Sequence, residues 1–209
     1  MQKILDAIED YNKVSNEIFI DEDGYNTILA DSLATDADIT KFEKNTGIQL
    51  PHELREFYTT LGKMQNKNNF ESYCFEIFPL EKLEEIASPS SPSDKIGLIE
   101  MILYSWGGDR HEFTSGEFFT EEQLQKINST YKCFGWYRDD HMLDAAHYLY
   151  FSTNGGFNKL YYNQDNFEAC EEKLKELLKN TSEPAPKTLE EILLEGLAKT
   201  KEIMIDWNS

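Results

Sequence analysis

Between Thr35 and Gly62 the sequence marks the start, the break and the end of two short helices, which restricts the fold more than any other segment. Thr35 can cap a helix, and the acidic side chain of Asp38, three residues later, interacts favourably with the positive N-terminal end of the helix dipole. The chain breaks at 45–47, and Pro51 fits the first turn of a second helix, where a missing N–H costs nothing. Gly62 supplies the left-handed stop. Apolar residues repeat at helical spacing: Ile39, Phe42, Leu54, Phe57, Tyr58 and Leu61. The segment predicts a helical hairpin.

A β-hairpin is the clearest signal in the rest of the chain. Its strands lie at 148–151 and 159–162, and the turn between them contains Asn154, Gly155 and Gly156, which tolerate the positive φ that such turns need. The aromatic run 70–78 predicts another strand, whereas the apolar run 96–106 fits a strand or a helix. Further helices are predicted over 2–14 and 80–87, after Asp165 or Asn166, and from Leu189 to about Ile205.

The order of these elements indicates the fold class. Helices come first, strands lie centrally and helices close the chain, without regular alternation. This favours an α+β fold with a central antiparallel sheet, helices packed beside it, and N- and C-terminal helices. A chain of 209 residues can form one sizeable domain. Pro184 and Pro186 predict a linker. We therefore expect a single domain over 1–180, then a linker and a C-terminal helix over 181–209 that either docks on the domain or serves as an arm.

The charge of the chain restricts its partners. It has 39 acidic and 20 basic residues, a formal net charge of -19. Such a field repels a phosphate backbone and an anionic membrane surface, and it accelerates association with a basic protein. The alternative is that the charge only keeps the protein soluble. The sparse cysteines, the acidic N-terminus and the lack of an apolar run of about 20 residues predict a cytoplasmic protein.

No residue pattern predicts catalysis, a cofactor or a metal. The runs Asp109–Glu112 and Asp139–His141 do not match zinc-ligand spacing, and the sequence has no phosphate-binding loop or nucleophile elbow. Cys133 lies beside Lys132, but a cysteine nucleophile needs a positioned base. We expect a protein that is not an enzyme. The two Asp/His runs leave an unrecognised hydrolase as the alternative.

Two tryptophan-containing runs are the candidate partner-binding site. Trp106 precedes Asp109, and Trp136 precedes Asp139 and Asp140. Protein interfaces favour tryptophan, tyrosine and arginine as anchors. The alternative is that both tryptophans are core residues and the acids lie on a solvated loop. The predicted partner-binding residues are Trp106, Asp109, Trp136, Asp139, Asp140 and Asp144.

The segment Ile39–Gly62 resembles the opening motif of the SUKH superfamily, which includes domains similar to a fungal cell-wall assembly regulator. The motif combines an I-x-x-F-E helix ending in Glu43, a G-I-x-L-P turn at 47–51, an L-x-x-F-Y helix and a closing glycine. In that superfamily a tyrosine-rich hairpin is followed by a helix, as at 148–162 and from Phe167 onward. The resemblance covers about 35–178.

The resemblance implies an immunity protein that binds and neutralises a polymorphic toxin, often a nuclease, without catalysis. A nuclease must be basic where it grips phosphate, so an acidic protein can occupy that surface. The expected partner is therefore a basic toxin domain. The alternative within the same fold is a general regulatory or scaffold module that uses the tail from Thr181 onward for docking.

Overall fold

The computed structural model describes residues 1–20, 26–66, 74–86, 96–106, 111–138, 144–153, 155–179 and 186–209. Helices and strands follow one another along the chain as α1 (Gln2–Ile18), β1 (Ile28–Asp31), α2 (Asp36–Thr46), α3 (His52–Thr60), β2 (Lys63–Asn66), β3 (Phe75–Ile77), α4 (Leu80–Ile86), α5 (Leu98–Trp106), α6 (His111–Thr114), α7 (Glu121–Thr130), β4 (Tyr131–Arg138), β5 (Ala145–Ser152), β6 (Phe157–Asn163), α8 (Glu168–Lys179) and α9 (Leu189–Trp207).

The strands form one antiparallel six-stranded sheet in the order β1-β2-β3-β4-β5-β6, so each strand pairs with its neighbours in the sequence. The longest pairings are β4 with β5 and β5 with β6, where Tyr137 lies opposite His147 and His147 opposite Tyr161. The register of β4 shifts between Cys133 and Gly135. Helices pack beside this sheet, and the predicted α+β fold with terminal helices is confirmed.

The helical hairpin at the start of the motif is also confirmed. Thr35 and Asp38 form a reciprocal capping box at the start of α2, and Gly47 ends that helix with φ 74°. Pro51 lies one position earlier than predicted, at the N-cap of α3. The buried carboxylate of Glu43 accepts the Leu50 N–H at 2.8 Å and pairs with Arg55. One side chain of α2 thereby fixes both the turn and the second helix.

One face of the sheet is covered by the two terminal helices. Lys3 of α1 pairs with Glu190 of α9, and Lys201 of α9 pairs with Asp10 of α1, so the two helices lie parallel. The backbone of α9 comes close to the sheet at Gly196, where an added Cβ would lie 2.8 Å from the Phe75 ring. The start of α9 is fixed to α3, because Glu53 accepts the Leu189 N–H at 2.7 Å.

The opposite face of the sheet packs against α5, α7 and α8. Alternate residues of β5 and β6, among them Tyr148, Tyr150 and Tyr162, are buried on this side. The ring of Phe167, which precedes α8, packs edge-on against the Phe113 ring, with 5.2 Å between the ring centroids. The centroid of the Tyr162 ring lies 6.5 Å from that of Phe167. A continuous aromatic core therefore lies beneath these helices.

Several elements differ from the expectations. The run 96–106 is helical from Leu98, and Gly97 bridges to Lys132 of β4. Of the predicted strand 70–78, Phe75–Ile77 is strand, and 70–73 lie outside the described residues. Asn154 of the predicted hairpin turn and the expected domain boundary at 180 also lie outside them. Strands β1, β2 and β4 had not been predicted.

Candidate functional site

A cleft of about 400 Å³ opens where β3, β4 and β5 meet α4 and α5. We call it the tryptophan cleft, because both candidate tryptophans line it. The lining residues are Cys74, Glu76, Phe78, Lys82, Tyr104, Ser105, Trp106, Trp136, Arg138 and Tyr148. The side chains come from four segments that are distant in sequence, so the cleft exists only in the folded chain.

Arg138 lies between the two tryptophans. Its guanidinium carbon is 5.1 Å from the Trp106 ring centroid and 4.9 Å from the Trp136 ring centroid. Trp136 and Arg138 are two residues apart on β4, and alternate residues of a strand point to the same face. Trp106 reaches the guanidinium from the C-terminal end of α5. A cation over two aromatic faces is attracted electrostatically to each ring, which links the strand and the helix.

The Trp106 indole is held on a second side by the sheet. Its Nε1–H donates to the hydroxyl of Tyr148 at 2.7 Å, and its ring lies 5.6 Å from that of Tyr162. Burial raises the pKa of Tyr148 above its ordinary value, and contacts from Ser105 and Trp106 oppose that shift. The hydroxyl therefore stays neutral near pH 7 and accepts the indole N–H.

The Trp136 indole is held by a charged pair on the floor of the cleft. Its Nε1–H donates to Glu76 Oε2 at 3.0 Å, while Lys82 Nζ donates to Glu76 Oε1 at 2.8 Å. Glu76 is only 8% exposed, so both carboxylate oxygens are bonded where water has little access. Lys82 also lies 4.3 Å above the Phe78 ring. Because a buried carboxylate is costly unless paired, this arrangement fixes the indole orientation.

The structure brings the two predicted tryptophans together, and both are partly buried side chains packed against the core. Asp144 lies next to the strand residue Ala145, whose carbonyl accepts a hydrogen bond from Arg138 at 3.5 Å. The Asp144 carboxylate itself accepts from Gln164 at 2.8 Å and does not line the cleft. Asp109, Asp139 and Asp140 lie outside the described residues.

Sequence reasoning missed most of the cleft. The missed side chains are Cys74, Glu76, Phe78, Lys82, Tyr104, Ser105, Arg138 and Tyr148. Arg138 had a local signal, since it follows Trp136 at strand spacing. The others come from β3 and the residues beside it, α4, α5 and β5, and nothing in the sequence places them beside the tryptophans.

A larger depression of about 950 Å³ lies along α1, but it is more open than the tryptophan cleft. Acidic and amide side chains of that one helix line it, together with Lys13 and Ile20. One of these amides, Asn12, already bonds the backbone of Ile28 in β1 at 2.7 and 3.0 Å. A smaller pocket of about 250 Å³, lined by His147, Lys159, Tyr161, Ala169 and Lys173, also combines aromatic rings with charges. The tryptophan cleft is larger and contains both predicted tryptophans, so we regard it as the better candidate.

The residues considered for catalysis are placed differently. His111 is exposed on α6 and lies 3.3 Å from the exposed carboxylate of Glu117. His141 lies outside the described residues, as do Asp109, Asp139 and Asp140. Burial raises the pKa of the Cys133 thiol to about 12, which keeps it protonated at neutral pH. Among the described residues, no group of three or more His, Cys, Asp or Glu side chains is placed to hold a metal ion.

The capped hairpin and the antiparallel sheet define the chain as an α+β domain of the kind that the SUKH resemblance implies. The family model described as the SMI1 / KNR4 family (SUKH-1) matches residues 33–174, and the chain belongs to this family. Membership supports an immunity-like or regulatory domain. The whole tryptophan cleft falls within the matched region, whereas α1, β1 and α9 lie outside it.

No curated protein and no solved structure gives a significant match to the chain. Within the part of the chain that the structure describes, no helix has the length and apolar character needed to cross a membrane.

Proposed function

We propose that this chain is an immunity protein that binds a toxin domain and neutralises it, without a catalytic step of its own. The single observation that carries the proposal is the tryptophan cleft, which lies inside the region that assigns the family. Trp106, Trp136, Arg138 and the 63% exposed Tyr104 are of the residue types that dominate the binding energy of protein interfaces.

The partner proposed is a basic toxin domain, bound through an acidic surface around these anchors. A net charge of -19 attracts a cationic protein and speeds its association. Asp109, Asp139, Asp140 and Asp144 are the candidate acidic contacts, because they neighbour the cleft residues in the sequence. The proposal places the protein in the cytoplasm, which fits its three cysteines being buried thiols.

The test is binding to the toxin domains encoded beside this gene, measured by co-purification and titration calorimetry. Trp136→Ala and Trp106→Ala should weaken the complex by about 2 kcal/mol or more each, the loss typical of a central interface anchor. Trp207→Ala is the matched control, because Trp207 is 47% exposed at the end of α9 and lies outside the cleft. Circular dichroism checks that each variant is folded.

Survival of cells that express the toxin gives the second readout. The wild-type chain and Trp207→Ala should protect, whereas the two cleft variants should protect less. If the chain bound none of the toxin domains encoded beside its gene, the immunity role would be excluded. A regulatory module of the same fold would instead capture several cellular proteins and give no protection. The docking arm expected for that role is not favoured, since Leu189, Ile192 and Leu193 of α9 are fully buried.

A further inference from the structure

Two cations line the tryptophan cleft of a chain whose net charge is -19. Lys82 and Arg138 would repel a basic partner if they faced it, so their placement bears on the proposed function. Lys82 is directed to the Glu76 carboxylate at 2.8 Å and lies over the Phe78 ring. Its charge is therefore compensated within the cleft.

The positively charged guanidinium of Arg138 lies over the faces of two aromatic rings. The ring centroids of Trp106 and Trp136 lie 5.1 and 4.9 Å from its guanidinium carbon. A planar guanidinium can stack on aromatic rings, whereas a lysine ammonium is a compact, strongly hydrated point charge. The contact with Ala145 O at 3.5 Å connects the same side chain to the start of β5.

The two indoles have no direct hydrogen bond to each other and are attached to different partners. Trp106 is bonded to Tyr148, and Trp136 is bonded to Glu76. Arg138 lies over both rings, and Tyr148, which bonds Trp106, lies opposite Trp136 in the β4–β5 register. An anchor that is rigid before binding loses less side-chain entropy on association, which strengthens the complex without a new contact.

We propose that Arg138 is a positioning residue that clamps Trp106 and Trp136 as one preformed anchor, rather than a residue that pairs with a charge on the partner. This inference rests on the proposed function only in that the partner is a protein bound at the tryptophan cleft. Arg138 also donates to the Ala145 carbonyl oxygen at 3.5 Å, which is a further contact within the chain.

The first test uses the free protein and needs no partner. In Arg138→Met the apolar stem is kept and the guanidinium is lost. The indole Nε1–H resonances of Trp106 and Trp136 in two-dimensional NMR should both shift or broaden, while that of Trp207 stays in place. Arg138→Lys should restore them only in part, because the planar stack is absent. Unchanged cleft resonances in a folded Arg138→Met protein would overturn the clamp.

The second test measures association and dissociation rates with the bound toxin domain. Arg138→Met should dissociate about five- to a hundredfold faster, the loss expected when two large side chains must be ordered on binding, with little change in the association rate. Lys41→Met is the matched control, because Lys41 is exposed on α2 and its loss adds the same negative charge. It should leave the dissociation rate unchanged.

These rates separate the clamp from the other roles of a cation. If Arg138 paired with an acidic group of the toxin, Arg138→Lys would retain most of the affinity. If it only repelled a basic toxin, Arg138→Met would bind more tightly. Either result overturns the inference while the immunity role stands. Shifted indole resonances in a protein that binds no toxin would leave the clamp supported and reject the proposed function instead.

Discussion

Replacing Gly62 by alanine should destabilise the protein far more than the same change at Gly47. Both glycines follow helices of the motif, and both have φ 74°, so the cost of placing an L residue in the left-handed region is about 1–2 kcal/mol at each. They differ in the space around the missing side chain. A Cβ on Gly47 meets nothing within 4 Å, whereas one on Gly62 would lie 2.0 Å from the carbonyl oxygen of Asp31.

The extra cost at Gly62 follows from this contact. The overlap is with backbone atoms, and Asp31 pairs with Lys63 in the β1–β2 ladder, so relief requires the edge of the sheet to move. Overpacking of this kind costs about 1–3 kcal/mol, which gives a total of about 2–5 kcal/mol for Gly62→Ala. Gly47→Ala should lose only the first 1–2 kcal/mol or so.

Urea unfolding followed by far-UV circular dichroism measures both losses. The slope of the free energy of unfolding against urea concentration should be the same for the wild type and the two variants, so that midpoints report stability. Equal losses, within about 0.5 kcal/mol, would refute the claim that close backbone approach at Asp31 requires glycine at position 62.

Three further outcomes are expected. Glu43→Ala should destabilise by about 2–4 kcal/mol, because it leaves the buried Leu50 N–H unbonded and removes the partly exposed Arg55 pair, whereas the exposed Glu56→Ala should change urea stability little. Gly196→Ala should lower the melting temperature, although Ala usually stabilises a helix, because its Cβ would meet the Phe75 and Tyr137 rings; a raised melting temperature would contradict close docking of α9. Hydrogen bonds from Thr35 hold the pKa of the Asp38 carboxyl below its ordinary value of 3.8. The contribution of Asp38 to folding stability is therefore present above pH 3.8 and lost as the pH falls through the folded pKa. The melting temperatures of the wild type and Asp38→Ala should converge at low pH.

Local signals account for the elements that the sequence could predict. The capping box at Thr35, the left-handed glycines at 47 and 62, and the apolar spacing of α8 and α9 depend on residues within a few positions of one another. The β5–β6 hairpin was found for the same reason, since its turn and both strands lie within the 19 residues from Ala145 to Asn163.

Strand β4 was missed because its burial hides the usual pattern. Five consecutive residues from Tyr131 to Gly135 are buried, since helices cover both faces of the sheet at this position. A strand covered on both faces does not alternate between apolar and polar residues. The register shift after Cys133 disturbs the period further. Strands β1 and β2 are only four residues long, and they form by pairing with each other across α2 and α3.

The run at 96–106 was detected as an apolar segment, but the sequence could not decide between a strand and a helix. Its apolar residues fit a strand and a helix equally, and tertiary contacts decide the outcome. Asn128 of α7 accepts the backbone N–H groups of Ile99 and Glu100 at 2.8 and 3.3 Å. The first N–H groups of a helix have no partner within it, so this acceptor from another helix caps the start of α5. No residue near 96 in the sequence carries that signal.

One part of the tryptophan cleft, the pair of side chains on β4, could be predicted from strand geometry. Trp136 and Arg138 are two positions apart, so a strand at 131–138 would have placed the indole and the guanidinium on one face. Strand spacing does not place Trp106 beside Arg138, because Trp106 reaches it only through the packing of α5 on β4 and β5. Glu76 is 60 residues from Trp136 in sequence, yet it fixes that indole through one hydrogen bond. A composition rule for interfaces suggests the proposed anchors, whereas the residues that hold those side chains in place become visible only when the sheet is assembled.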